Sequence, residues 1–134
     1  MKIQGYWLAS GILGVTASTM LRVLESGADV VVTKSIGSIQ RKGHQGPILV
    51  VSHGGLINAV GLTNPGIDAM ADEMQILHKA KARVVLSVFA DTPEEIADLV
   101  ARGSKMGPSA IELNLSCPHA EISQISHSPE LTSK

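Results

Sequence analysis

Four short, continuously apolar runs rich in Val, Ile and Leu limit what this chain can become. They fall at 7–10, 30–35, 84–89 and 110–116. Their apolar character suggests strands buried on both faces, the pattern of a parallel sheet. Helical spacing fills the gaps. Over 16–27, Met20, Leu21 and Leu24 share a face and Gly27 supplies a stop. Asn64 and Pro65 read as the cap and first-turn proline of a helix reaching about residue 82. Ile67, Met70, Met74 and Leu77 form its buried stripe, with Asp68 and Asp72 early and Lys79 and Lys81 late, as the helix dipole favours. Thr92-Pro93-Glu94-Glu95 is a capping box opening a third helix through Ile96, Leu99 and Val100. Strand and helix alternate, which implies an α/β fold with right-handed crossovers. One long insertion, 36–63, interrupts the order after the second strand; it holds a further strand at 48–52 and a turn at Gly54-Gly55.

Composition narrows the class. With 44% apolar and 17% charged residues the chain cannot be disordered, and its 134 residues suit one domain without an internal boundary. The core must be aliphatic, since Tyr6, Trp7 and Phe89 are the only aromatics. A net charge of −1 gives no electrostatic footprint for nucleic acid or an anionic membrane. The single cysteine excludes an intrachain disulfide and fits a reducing compartment. Lys2 and the apolar residues after it resemble a leader, but Ser10, Gly11 and Gly14 break the run. The expectation is a cytoplasmic protein. The five histidines have no zinc-ligand spacing, and no glycine-rich phosphate loop is present.

Polar residues concentrate where the predicted strands end, which is where parallel α/β folds carry their chemistry. Cys117 follows the fourth strand in Asn114-Leu115-Ser116-Cys117-Pro118, and Pro118 turns the chain there. Position alone leaves a structural thiol and a reactive one equally open. Asn114 lies inside that strand, and a buried amide needs partners for up to about four hydrogen bonds. It could be a satisfied structural amide or a ligand group. Lys34, in Thr33-Lys34-Ser35, ends the second strand, where a lysine is most often solvated surface. Asn58, Ala59, Val60, Gly61 and Leu62 lead into Thr63-Asn64-Pro65-Gly66; they supply an amide and a glycine permitting close backbone approach, or simply a helix start.

Together these stretches resemble the dihydroorotate dehydrogenase family, in particular the soluble kind that uses cysteine as its base. The Asn-x-Ser-Cys-Pro run at Asn114 to Pro118 is the specific match; Thr33-Lys34-Ser35, the stretch from Asn58 to Gly66 and Leu8-Ala9-Ser10-Gly11 match in the same order. The resemblance implies a partial (β/α)8 barrel, about its first four βα units with a β insertion after strand 2. It implies FMN as cofactor, contacted by Ala9, Ser10, Gly11, Lys34, Ser35, Ser87 and Asn114. It implies dihydroorotate as substrate, held by Lys34, Asn58, Ala59, Val60, Gly61, Leu62 and Asn114, with Cys117 taking the carbon 5 proton. Thr63 departs from the pattern, standing where proline is usual. The family's remaining lysine, asparagine and flavin-phosphate loops correspond to nothing in these residues, whereas a full barrel takes about 250. Expected partners are therefore a homo-oligomer or a complementing C-terminal half, with an electron-transfer subunit. A non-catalytic, oligomerising half-barrel and a related flavin-dependent pyrimidine dehydrogenase remain as alternatives.

Overall fold

A computed structural model describes residues 5–115 and 128–133. Its main sheet has four parallel strands, β1 (Trp7–Leu8), β2 (Val30–Val32), β5 (Val84–Val88) and β6 (Ala110–Leu113), adjacent in that order. Trp7 and Leu8 pair with Val30 and Val31, Val31 and Val32 with Val84 and Val85, and the run from Val85 to Val88 with Ala110 through Leu113. Between β2 and β5 stands a separate antiparallel hairpin, β3 (Leu49–Ser52) and β4 (Gly55–Asn58). The helices are α1 (Ala17–Glu25), α2 (Ile67–Lys79) and α3 (Pro93–Ser104), with a 3-10 turn at Ile12–Gly14 before α1 and a short α4 (Pro129–Thr132).

All three long helices lie on one face of the sheet. Met20 from α1, Met70, Met74 and Leu77 from α2, and Leu99 from α3 pack with Val31, Leu86 and Val88 into one core. Removing each such side chain from water contributes about 1.5–3 kcal/mol. The opposite face carries a smaller cluster of Val30, Val32 and Val85, with Trp7 and Ala110 against it. A doubly wound sheet would have helices on both faces. Strands in chain order with helices on one side form an arc of a barrel instead.

Local chemistry explains the elements, with three differences from the sequence expectation. Thr16 caps α1 by accepting from Thr19 N–H at 3.3 Å, and the Glu73 carboxylate of α2 accepts from Ala17 N–H at 2.5 Å, joining the two helices. Helix α2, however, starts at Ile67 with Gly66 at its cap, so Asn64 does not cap it. The Thr92 box is half made: Thr92 Oγ1 accepts from Glu95 N–H at 3.2 Å, while the Glu95 carboxylate takes the Ser38 hydroxyl at 2.6 Å. The insertion holds two strands where one was expected, because Gly54 and Gly55 dominate the local sequence and hide the short Leu56-Ile57 pair. Among the described residues no helix is long and apolar enough to cross a membrane.

Candidate functional site

The carboxyl ends of the four parallel strands meet in one hydrogen-bonded knot. Ser10, after β1, shares a hydrogen bond with Ser35, after β2, at 3.3 Å. Ser35 shares another with Ser87 of β5 at 3.0 Å, and Asn114, after β6, donates its amide to Ser35 Oγ at 3.0 Å. Ser87 N–H donates to Thr33 Oγ1 at 2.9 Å, and Asn114 N–H to the Val88 carbonyl at 2.8 Å. Ser35 and Ser87 are buried, so their hydroxyls would cost about 1–3 kcal/mol each if left unpaired. The network satisfies them and fixes where Asn114 and Ser10 point. Ser87 is wholly enclosed and acts on the site through Ser35.

Lys34 is carried to the rim by the 3-10 turn. Its N–H donates to the Gly14 carbonyl at 2.8 Å, and Gly14 lies so close to the backbone of Val32 and Lys34 that a Cβ would sit 2.6 Å from both. Only glycine permits that approach. Among the described residues the ion pairs belong to Arg102, with Asp68 at 2.5 Å and Asp98 at 3.6 Å, so no carboxylate neutralises Lys34. The bond to Asp68 holds the Arg102 guanidinium above its ordinary pKa.

Facing this rim is the loop after β4. A cleft of about 710 Å³ is bounded by Ser10, Gly11 and Lys34 on the sheet side and by Asn58, Val60, Gly61 and Leu62 opposite. Ile48, Leu49 and Leu56 from the hairpin give it an apolar wall. The loop is held in an unusual shape: Gly61 has φ +75° and Leu62 φ 54°, the latter uncommon for a side chain that is not glycine. A Cβ on Gly61 would lie 2.4 Å from the His44 ring, so this glycine is needed for packing within the chain.

Two residues enforce this shape; sequence reasoning missed Arg41 and read Asn64 as a helix cap instead. Arg41 donates Nε–H to the Gly61 carbonyl at 3.0 Å, and its backbone exchanges both bonds with Asn64 at 3.0 Å. Buried Asn64 accepts from Gly37 N–H at 3.2 Å and Gly66 N–H at 2.9 Å, and donates to the Leu62 carbonyl at 2.8 Å. A polar side chain in an insertion carries no periodic signal; only the turn-forming Asn-Pro-Gly hinted at it. Of the sequence-derived residues, Ser10, Gly11, Lys34, Asn58, Val60, Gly61 and Leu62 share the cleft. Ser35, Ser87 and Asn114 form the network beneath its sheet side, while Ala9 is exposed. Ala59 is partly buried beside Asn58, its N–H donating to the Ile48 carbonyl at 2.9 Å. Cys117 lies outside the described residues. Among those residues no cluster of His, Cys, Asp and Glu suits a metal ion.

The family model for dihydroorotate dehydrogenase matches residues 4–134, nearly the whole chain. The chain belongs to the dihydroorotate dehydrogenase family. Among its relatives, the dihydroorotate dehydrogenase B (NAD(+)) catalytic subunit of Thermoplasma acidophilum is 48% identical over 85% of this chain and 38% of its own length. The protein of the same description from Pyrococcus abyssi is 46% identical, again over 85% of this chain and 38% of its own length. The chain thus spans less than half of the curated relatives it matches. A crystal structure of DHODH from Eimeria tenella in complex with ferulenol superposes with a TM-score of 0.75 at 18% identity, covering 88% of this chain and 35% of that one. This likeness bears on fold: the open arc of parallel strands matches part of that DHODH structure, as expected for a partial barrel.

Proposed function

We propose that residues 1–134 are the N-terminal portion of an FMN-dependent (β/α)8 barrel that oxidises dihydroorotate to orotate in the biosynthesis of UMP. One observation carries this reading: Ser10, Lys34 and the 58–62 loop line a single cleft above the Ser35–Asn114 hydrogen bond, at the carboxyl ends of parallel strands. The donor set fits a flavin. Hydroxyl and amide groups from Ser10 and Asn114 suit the carbonyls and nitrogens of a flat ring, and the cation of Lys34, without a carboxylate partner among the described residues, favours negative charge developing on it. Asn58 and the strained loop suit the substrate's ring amide and carboxylate. A bound flavin would supply the acceptor for the hydride leaving carbon 6. Cys117 removes the proton from carbon 5; a thiol of ordinary pKa about 8.5 needs only modest activation to serve near neutrality.

The relatives and the fold lend support to further features of the reading. The relatives are described as catalytic subunits, which supports an electron-transfer subunit as partner. A homo-oligomer or a complementing C-terminal half would cover the open sheet. The protein is cytoplasmic and contacts neither nucleic acid nor membrane. A second reading, a half-barrel that associates without turnover, draws support from Trp7, whose buried Nε1–H has no partner among the described residues.

The test is flavin reduction by dihydroorotate, followed as loss of flavin absorbance, in this chain joined to the remaining half of a family barrel. Cys117→Ala is expected to slow reduction by about 10²–10⁴, the usual worth of a general base. Reduction at the parent rate would remove Cys117 from the chemistry. A parent assembly that binds flavin yet never bleaches it would favour the second reading.

A further inference from the structure

Three serine hydroxyls run from the interior of the sheet to the cleft, and their protons give the chain of bonds a direction. Ser87 is 0% exposed and Ser35 3%, while Ser10 is half-buried and lines the cleft. Ser87 is the closed end. Its backbone is tied on both sides, the N–H donating to Thr33 Oγ1 at 2.9 Å and the carbonyl accepting from Ile36 N–H at 2.9 Å. Among the described residues its hydroxyl meets one partner, Ser35 Oγ at 3.0 Å. A hydroxyl has one proton and two lone pairs, and a buried proton without an acceptor is costly. The Ser87 proton therefore goes to Ser35. Asn114 Nδ2 donates to the same oxygen at 3.0 Å, which fills both of its lone pairs. Ser35 is left with a proton to give, and the acceptor open to it is Ser10 Oγ at 3.3 Å.

We propose that these bonds run one way, from Ser87 through Ser35 to Ser10, so that Ser10 meets the cleft as a hydrogen-bond donor and selects a ligand atom that accepts. Ser10 is then a specificity-determining residue. A carbonyl oxygen or an unprotonated ring nitrogen suits it, whereas a ring N–H facing it would set two protons against each other. The rest of the sheet-side wall has the same polarity. Lys34 lines it beside Ser10, and an ammonium group donates without accepting. Ile48, Leu49 and Leu56 keep the hairpin wall apolar, and a hydrogen bond made in such surroundings is stronger than one in water. The inference takes the identity of the ring from the flavin reading; the direction of the bonds rests on burial and hydrogen-bond partners alone.

The test uses the chain joined to the remaining half of a family barrel. Neutron diffraction from crystals exchanged into heavy water locates the hydroxyl deuterons. The expected positions are Ser87 toward Ser35 Oγ, Ser35 toward Ser10 Oγ, and Ser10 toward the cleft. Fluorescence titration with FMN reads the consequence. Ser10→Ala should weaken binding about 2–10-fold, the net worth of one hydrogen bond, and Ser10→Thr, which keeps the donor, should recover most of that loss. A Ser10 deuteron on Ser35 Oγ, or an Asn114 amide facing Ser35 through Oδ1, would reverse the direction and overturn the proposal. So would a Ser10→Ala protein that binds FMN as tightly as the parent. A joined protein that takes up no FMN would count against the flavin reading instead, and the deuteron positions would still decide the direction.

Discussion

Strand β5 and the hairpin are made of nearly the same residues, yet every residue of Val84–Val88 is buried and every residue of Leu49–Ser52 and Gly55–Asn58 is exposed. The difference lies in what covers them. β5 has neighbours on both sides and helices against one face; the hairpin has itself. Apolar composition sets how strongly a strand needs cover, and topology decides whether it receives it. In this chain the covered strands hold the polar network in place, and the uncovered ribbon forms the apolar wall of the cleft.

That contrast can be broken by truncation. Leu86→Ala, at a fully buried position of β5, should cost about 2–5 kcal/mol in urea unfolding of the chain, the usual range when a core leucine leaves a cavity. A cost near zero would mean that the covered strand is not the stable part. Asn64→Ala probes the boundary between the two regions. It leaves the Gly37 and Gly66 N–H groups unpaired where they are buried, at about 1–3 kcal/mol, and should release the 58–62 loop. Faster hydrogen exchange at Gly61 and Leu62 without faster exchange in β5 would sharpen the comparison, and uniform exchange across both would blur it. Val51→Ala, on the hairpin, should change stability by no more than about 0.5 kcal/mol. A loss matching that of Leu86→Ala would show the ribbon to be packed in solution.

Much of the scaffold was legible beforehand. The apolar runs at 30–35 and 84–89 place β2 and β5 to within a few residues, and the Ile67, Met70, Met74, Leu77 stripe is buried as its spacing requires. Of the strand-end residues, Asn114 stood out as a polar group inside an apolar strand, while Ser10, Lys34 and Ser35 were legible only through the family resemblance. Arg41 was not, since its partner Gly61 lies 20 residues away in the same irregular insertion and no period links them; Asn64 was read as a helix cap, and its bond from Gly37, 27 residues away, carried no signal.

The sequence by itself determined which segments become strands and helices, that the strands run parallel, and which polar side chains sit at their ends, because these follow from periodicity, capping and the short reach of neighbouring residues. Only the tertiary structure decided that the helices gather on one face, that Ser35 links residues from all four strands, and that an apolar ribbon stays in water beside the cleft. Those outcomes depend on contacts such as Asn114 with Ser35, 79 residues apart, where geometry set by the whole sheet chooses the partner.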